Sequence, residues 1–205
     1  AVLKSFGAPR IHVIHNGVDT ERYLPAETRV PSARFTLLYV GSWSARKGSD
    51  LLAPIMRCLG PGFVLRHTGT AETAAKWGIT DSVALGRIDQ DTLISEMQSA
   101  DALLLPTRLE GFGLVATEAM ACGTPVVASN CSSIPEIIVN HKNGVLCQVD
   151  DVAAFCTSIQ GLAADPEKRE RLASACRATV VEKFTLARFI RAHIDLYART
   201  LMETL

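Results

Sequence analysis

The sequence lacks the features of a membrane-spanning or exported chain. No apolar stretch reaches the roughly 18 residues that a membrane-crossing helix needs, and the N-terminus has no basic region followed by an apolar core. It also lacks an excess of either charge, because 21 Lys and Arg residues balance 21 Asp and Glu residues. No overall field therefore favours nucleic acid or an acidic membrane, and we expect a soluble, cytoplasmic chain that binds no nucleic acid.

Paired cysteines and clustered metal ligands are also absent. The six cysteines include no Cys-x-x-Cys pair, which indicates reduced thiols rather than a disulfide framework. His12 and His15 stand three apart along an expected short strand, so they would face opposite sides and would not share a metal. Asp89 and Asp91 directly precede a helical pattern, which favours helix capping over metal binding. We expect neither a metal nor another cofactor.

No internal repeat, low-complexity segment or Gly-x-Gly-x-x-Gly before a helix is present, and the last absence argues against a dinucleotide-binding domain. Short apolar runs instead alternate with helical patterns, which predicts a parallel sheet with helices on both faces. The 205 residues suit one domain, with a linker and first short strand (1–34), a parallel α/β core (35–150) and C-terminal helices (151–205). Strands are expected at 11–14, 35–40, 63–67, 83–85, 102–105, 126–128 and 145–147, and helices at 47–59, 71–77, 90–99, 114–122, 134–140 and from Val152 onward, with caps at Asp165 and Thr185.

The chemistry concentrates between Glu110 and Glu118. An apolar strand, a glycine turn and a helix follow one another here, so free N–H groups at the helix N-terminus can meet phosphate or sugar oxygens. Gly111 and Gly113 let the backbone approach a ligand closely. Helical side chains lean toward the N-terminus, so the Glu118 carboxylate would point back toward the turn and accept from ribose hydroxyl groups. The alternative is a Glu118 that is solvated on the outer face of the helix.

The segment EGFGLVATEAMACGTPVVAS resembles the signature of the retaining glycosyltransferases of family 4, in which two glutamates separated by seven residues hold a nucleotide sugar. The likeness runs from about Ile11 to Phe184 and covers one half of the family's GT-B fold. It implies the C-terminal donor domain, a Rossmann-like three-layer sandwich with a central parallel sheet and a helical C-terminal segment. The N-terminal acceptor domain would then lie outside this sequence, in the same polypeptide or in a separate subunit.

The loop from Gly41 to Gly48 (GSWSARKG) follows the first strong strand. Ligands of open parallel sheets bind beyond the carboxyl ends of strands, so this loop is expected to meet the Glu110 turn. Arg46 and Lys47 can neutralise a diphosphate there, with ordinary solvated positions as the alternative. The loop resembles the family pattern Gly-Arg-x-x-x-x-Lys-Gly, except that Ser42 replaces the arginine. Arg46 is the candidate substitute.

The resemblance assigns the remaining roles. Lys47 and Arg46 would lie at the diphosphate and Glu110 at the hexose, and these three would form the catalytic group. Glu118 would hold the ribose. The other implied donor-binding positions are Gly41, Ser42, Gly69, Gly111, Phe112, Gly113, Leu114 and Val115, with the backbone of Arg87 and Ile88 at the base.

Together these features predict the donor-binding domain of a retaining hexosyltransferase that uses a UDP-, GDP- or ADP-sugar, needs no metal and does not turn over in isolation. Its partners would be the nucleotide sugar and the missing acceptor domain, through which a peripheral membrane contact is left open. The alternative is a non-catalytic nucleotide-sugar-binding or scaffold subunit. Epimerases and phosphorylases of similar architecture form a third class, and no cofactor-lysine motif supports a phosphorylase.

Overall fold

Six short strands form one fully parallel sheet in the computed structural model, which describes Gly7 and residues 11–28 and 32–202. Their order across the sheet is β3-β2-β1-β4-β5-β6. The chain therefore winds outward in both directions from the centre, which leaves a crevice at the carboxyl ends of β1 and β4. The strands are β1 (Phe35–Tyr39), β2 (Phe63–His67), β3 (Ser82–Ala84), β4 (Ala102–Leu105), β5 (Val126–Ser129) and β6 (Val145–Cys147).

Helices follow the strands, and several begin at the residue types that satisfy free N–H groups. The Asp89 carboxylate accepts from the Thr92 N–H at 2.8 Å, which confirms capping at this position. Asp165 accepts from the Lys168 N–H at 2.8 Å in the same way. The helices are α1 (Ser49–Leu59), α2 (Ala71–Lys76), α3 (Gln90–Ser99), α4 (Leu114–Ala121), α5 (Ile134–Ile137), α6 (Val152–Ala164), α7 (Pro166–Lys183) and α8 (Leu186–Met202), with a 3-10 helix at Ala45–Lys47.

Two apolar layers lie on opposite faces of the sheet. Alternate strand residues face different layers, as the pleat requires. Leu38 and Leu103 pack with α3 and α4, whereas Leu37 and Leu104 pack with α1 and α6. All four leucines are fully buried, and such burial contributes about 1.5–3 kcal/mol for each side chain. The expected Rossmann-like three-layer sandwich is confirmed.

The strand expected at residues 11–14 is not formed. The segment reaches no sheet edge, and Val13 remains 74% exposed, so no buried apolar face fixes an extended pairing. An isolated parallel bridge instead joins Val18 to Thr185. The Val18 N–H donates to the Phe184 carbonyl at 2.8 Å, and the Leu186 N–H donates to the Val18 carbonyl at 2.8 Å. The entering segment is thereby tied to the start of α8.

The helix expected at 134–140 ends early, at Ile137. Asn143 explains the difference, because its side chain replaces the next helical turn. Its Oδ1 accepts from the Val139 N–H at 2.6 Å, and its Nδ2 donates to the Ile137 carbonyl at 3.1 Å. Ile138 is therefore free to take an extended conformation.

Candidate functional site

The loop after β1 (residues 41–48, the Lys47 loop) and the loop after β4 (residues 106–113, the Glu110 loop) meet at the carboxyl edge of the sheet. Lys47 Nζ donates to Glu110 Oε1 at 2.6 Å. The two side chains are 21% and 9% exposed, so water screens their attraction less than it screens a surface pair. The predicted convergence of the two loops is thus observed, with a cation and a carboxylate in contact.

The Lys47 loop depends on a close approach at Gly48. The Ser44 hydroxyl accepts from the Lys47 N–H and begins the 3-10 turn, and Gly48 ends it with a left-handed φ of 71°. A Cβ added at Gly48 would overlap the Pro106 carbonyl group, lying 2.6 Å from its carbon. This contact explains why α1 begins at Ser49 instead of Lys47. The contact between Gly48 and Pro106 also brings the two loops so close that position 48 has no space for a side chain.

Arg46 supports the neighbouring loop. Its carbonyl accepts from the Arg108 N–H at 2.9 Å and from the Thr107 hydroxyl at 3.2 Å. Its guanidinium donates to the Leu109 carbonyl at 3.2 Å. The predicted contact of Arg46 with a diphosphate remains a prediction, and the observed contacts give this side chain a loop-positioning role as well.

Arg108 joins the Glu110 loop to the Lys47 loop, to the start of α1 and to the turn before α6, and the sequence patterns did not single it out. It pairs bidentately with Asp50 at 2.8 and 2.7 Å, and its Nε pairs with Asp150 at 2.8 Å. It also donates to the Ala45 carbonyl. The guanidinium beside Asp50 lowers the pKa of that carboxyl group, so the pair stays ionised at neutral pH. A lone arginine two residues before Glu110 carries no sequence signal, because its partners are distant along the chain.

A pocket of about 250 Å³ opens beside the Lys47–Glu110 pair. The N-terminus of α4 contributes to it, and N–H groups in the first turn of a helix have no intrahelical acceptor. The Ser133 hydroxyl fixes the approach to this helix by donating to the Phe112 carbonyl at 2.9 Å. Asn16 also lines the pocket, and no sequence pattern pointed to it. The lining residues are Asn16, Val40, Lys47, Leu105, Glu110, Phe112, Gly113, Leu114 and Val115.

Glu118 lies one turn further along α4 and is not among the lining residues of this pocket. It is half-buried, and burial raises the pKa of its carboxyl group. A side-chain interaction with Tyr23 opposes this shift. Glu118 therefore does not occupy the fully solvated outer position that was the alternative. The connection before β1 supplies its neighbour Tyr23, which the sequence patterns missed.

The loops after β1, β2 and β3 also contact one another. The Gly41 N–H donates to the Thr68 hydroxyl at 3.1 Å, and the Gly86 N–H donates to the Gly69 carbonyl at 3.1 Å. A Cβ at Gly69 would lie 2.7 Å from Cε2 of Trp43, so glycine is needed for this contact. The remaining predicted positions are Ser42, whose carbonyl accepts from the Tyr39 hydroxyl at 3.1 Å, and Gly111, Arg87 and Ile88, which lie in the loops at the same edge.

Within residues 11–28 and 32–202, no three His, Cys, Asp or Glu side chains gather as a metal site would require. The expectation that no metal takes part remains a prediction. Among the helices of the same ranges, none is both long and apolar enough to cross a membrane.

Known proteins resemble this chain in sequence and in fold. Glycogen synthase of Mycobacterium tuberculosis (strain ATCC 25618 / H37Rv) is 35% identical over 190 residues, which cover 87% of this chain and 46% of that enzyme. Sucrose-phosphate synthase from Thermosynechococcus elongatus superposes with a TM-score of 0.84 at 26% identity, over 97% of this chain and 54% of the other. HepE (Alr3699) of Anabaena, in complex with UDP and glucose, has the same fold, with a TM-score of 0.80 at 20% identity over 92% of this chain and 57% of the other.

The chain spans about half the length of the curated relatives it matches. A family model described as "Glycosyl transferases group 1" matches residues 22–179, which include the Lys47 loop, the Glu110 loop and α4. With this match and the parallel doubly wound sheet, the chain belongs to the group 1 glycosyl transferases.

Proposed function

We propose that this chain is the C-terminal, donor-binding domain of a family 4 retaining glycosyltransferase. It binds a nucleoside diphosphate sugar, and the hexosyl group is transferred to an acceptor that another domain holds. The observation that carries this proposal is the Lys47–Glu110 pair beside the N-terminus of α4, at the point where the sheet reverses its winding. Cation, carboxylate and free N–H groups converge there on one pocket.

Each part of the pocket suits a different part of such a donor. Lys47 and the N–H groups at the start of α4 suit the diphosphate, with Arg46 reaching the same phosphates from its loop. Glu110 suits hexose hydroxyl groups, together with the N–H groups of Phe112 and Gly113. Leu114 and Val115 offer N–H groups to ribose or phosphate oxygens.

The same groups would stabilise bond cleavage. As the bond from sugar to phosphate breaks, negative charge develops on the leaving diphosphate and the anomeric carbon becomes cation-like. A lysine and N–H donors already in place favour that state over the bound ground state. Glu110 is assigned a positioning role and not that of a nucleophile, and the site needs no metal for this chemistry.

Two further observations bear on the nucleotide and on the loops that would bind its base. HepE, which shares the fold, holds UDP and glucose. Gly41, Ser42, Gly69, Gly111, Arg87 and Ile88 lie at the edge where the base and ribose would extend from the pocket. We propose a UDP-, GDP- or ADP-hexose as the donor, and we also propose a cytoplasmic site of action.

The acceptor domain lies outside this chain in our proposal. The chain covers 46% of the glycogen synthase that it matches, and α8 carries apolar side chains for which the described part of the chain offers no buried position. These side chains recur every three or four residues and so share one helix face. They are Leu186, Ile190, Ile194, Tyr197 and Leu201. The isolated chain should accordingly bind the donor without transferring its sugar.

Calorimetric titration with UDP-glucose, GDP-mannose and ADP-glucose tests the proposal. At least one should bind saturably at a single site. The Lys47→Ala variant should weaken that binding by roughly 10-fold or more, since it removes a charge-assisted contact to phosphate. Lys142→Ala is the matched control, because Lys142 is exposed and lies outside the pocket.

Two results would contradict the proposal. One is that none of the three donors binds, and the other is that Lys47→Ala and Lys142→Ala bind equally well. A third result would favour the scaffold subunit instead: the chain binds a donor, but no sugar is transferred after an acceptor domain has been supplied.

A further inference from the structure

Tyr23 places a hydroxyl group inside the protein, next to the helix that carries Glu118. The side chain is 4% exposed and belongs to the apolar layer that contains Ala119 and Met120 of α4. A buried tyrosine hydroxyl normally requires a hydrogen-bond partner. A phenylalanine would fill the same space without that requirement, so the hydroxyl group itself needs an explanation.

A chain of side chains sets the direction in which this hydroxyl donates. Arg22 donates to Oε1 of Gln90, so the amide nitrogen of Gln90 faces the other way. That nitrogen donates to the Tyr23 hydroxyl oxygen at 3.0 Å. The oxygen is thereby engaged as an acceptor, and its own proton is available for another group. Glu118 directly precedes Ala119, which shares the buried layer with Tyr23, and the Tyr23 side chain acts to lower the pKa of the Glu118 carboxyl group.

The backbone of Tyr23 is anchored to the same helix. Arg177 of α7 donates to the Tyr23 carbonyl at 2.7 Å and to the Thr20 carbonyl at 3.0 Å. The same guanidinium donates to the Ala121 carbonyl at the end of α4, also at 3.0 Å. The tyrosine and the helix that bears Glu118 are therefore held in one arrangement.

The surroundings of Glu118 otherwise disfavour its charge. Burial raises the pKa of the carboxyl group, and the interaction with Tyr23 acts in the opposite direction. Cys122, which directly follows the last residue of α4, stays a neutral thiol because burial raises its pKa to about 12. Arg177 lies close enough to interact with that thiol. A protonated Glu118 would become a hydrogen-bond donor and would lose an acceptor site that hydroxyl groups need.

We propose that the Tyr23 hydroxyl, oriented by Gln90, is a positioning group that holds the Glu118 carboxylate as an acceptor for the ribose hydroxyl groups of the donor. One tyrosine proton occupies one lone-pair site and leaves the others for ribose. The inference rests on the proposed function, since it concerns the ribose of the same donor. It adds a residue from the connection before β1 to a site otherwise built from the loops after the strands.

The test removes one oxygen atom from the protein and two from the ligand. Wild-type and Tyr23→Phe chains are titrated with UDP and with the 2′,3′-dideoxy form of UDP. The variant should lose roughly 5- to 20-fold in affinity for UDP and less than about 2-fold for the dideoxy form, because the lost bond acts through a charged group that contacts ribose. Thr124→Val is the matched control, because it also removes a buried hydroxyl group, and that group donates to the Met97 carbonyl at 2.5 Å.

A second measurement needs no ligand. The pH titration of the Glu118 carboxyl carbon, followed by NMR, should move to higher pH in Tyr23→Phe and stay in place in Thr124→Val. If UDP and its dideoxy form lose affinity equally, or if the Glu118 titration does not move, the inference is overturned. If the wild-type chain binds no nucleotide while the titration still moves, the ribose role fails together with the proposed function, and only the ligand-free link between Tyr23 and Glu118 remains.

Discussion

A methyl group at position 48 should cost this protein far more than the same change at another left-handed glycine. Gly48 has a φ of 71°, where alanine is disfavoured by roughly 1–2 kcal/mol. Its added Cβ would also overlap the Pro106 carbonyl group, lying 2.6 Å from its carbon, and overpacking of this kind adds about 1–3 kcal/mol. The expected loss is therefore about 2–5 kcal/mol, a large share of the roughly 5–15 kcal/mol that stabilises a typical domain.

Gly78→Ala supplies the matched control for Gly48→Ala. Gly78 has a φ of 76°, and its added Cβ would come no closer than 3.7 Å, an ordinary contact with Ala53. It should lose only the conformational part, roughly 1–2 kcal/mol. Urea unfolding at constant m-value measures both losses. Equal losses in the two variants would refute the claim that the two loops approach too closely for a side chain.

Three other changes test β2 and the loop that follows it. Burial lowers the pKa of His67, so the unfolded chain binds a proton that the folded chain excludes. The free energy of unfolding should therefore fall as the pH drops below about 6.5. If urea unfolding shows that a His67→Gln variant loses as much unfolding free energy with falling pH as the wild type does, the prediction is contradicted. Glu96→Gln should cost about 1–2 kcal/mol by urea unfolding, because it breaks a partly buried bidentate pair with Arg66 at 2.5 and 2.6 Å; a loss below about 0.3 kcal/mol would place the pair among ordinary surface contacts. Gly69→Ala should displace the Trp43 ring and shift its fluorescence emission, measured in a variant that lacks the other tryptophan, Trp77. An unchanged spectrum would mean that the loop containing Gly69 moves and the Trp43 ring does not.

The strands followed directly from the sequence because a buried parallel strand is a short apolar run between turn residues. β2, β4 and β6 have the predicted bounds for that reason. The segment at 11–14 showed a similar pattern but had no neighbouring strand, and pairing is a property of two segments. The end of α5 likewise depends on Asn143, whose side chain acts on backbone groups four to six residues earlier.

The candidate site also has one part that the sequence predicts and one part that it does not. The meeting of the Lys47 and Glu110 loops could be predicted, since parallel strands present their carboxyl ends at one edge. Arg108 and Tyr23 could not, because their partners are set by packing between segments far apart in the chain. Arg108 reaches Asp50 and Asp150, 58 residues away on one side and 42 on the other, and no local pattern encodes such a pairing.

The parallel bridge between Val18 and Thr185 brings the entry and the exit of the α/β unit next to each other. Residues 19–184 therefore begin and end next to each other, so the unit can be joined to a longer polypeptide without its two ends being separated. Such a unit can be inserted whole into an exposed loop of another protein, because adjacent ends fit the two connections of one loop. The same adjacency makes circular permutation feasible: a short linker across the bridge, with new ends opened in an exposed turn, would leave the strand order unchanged.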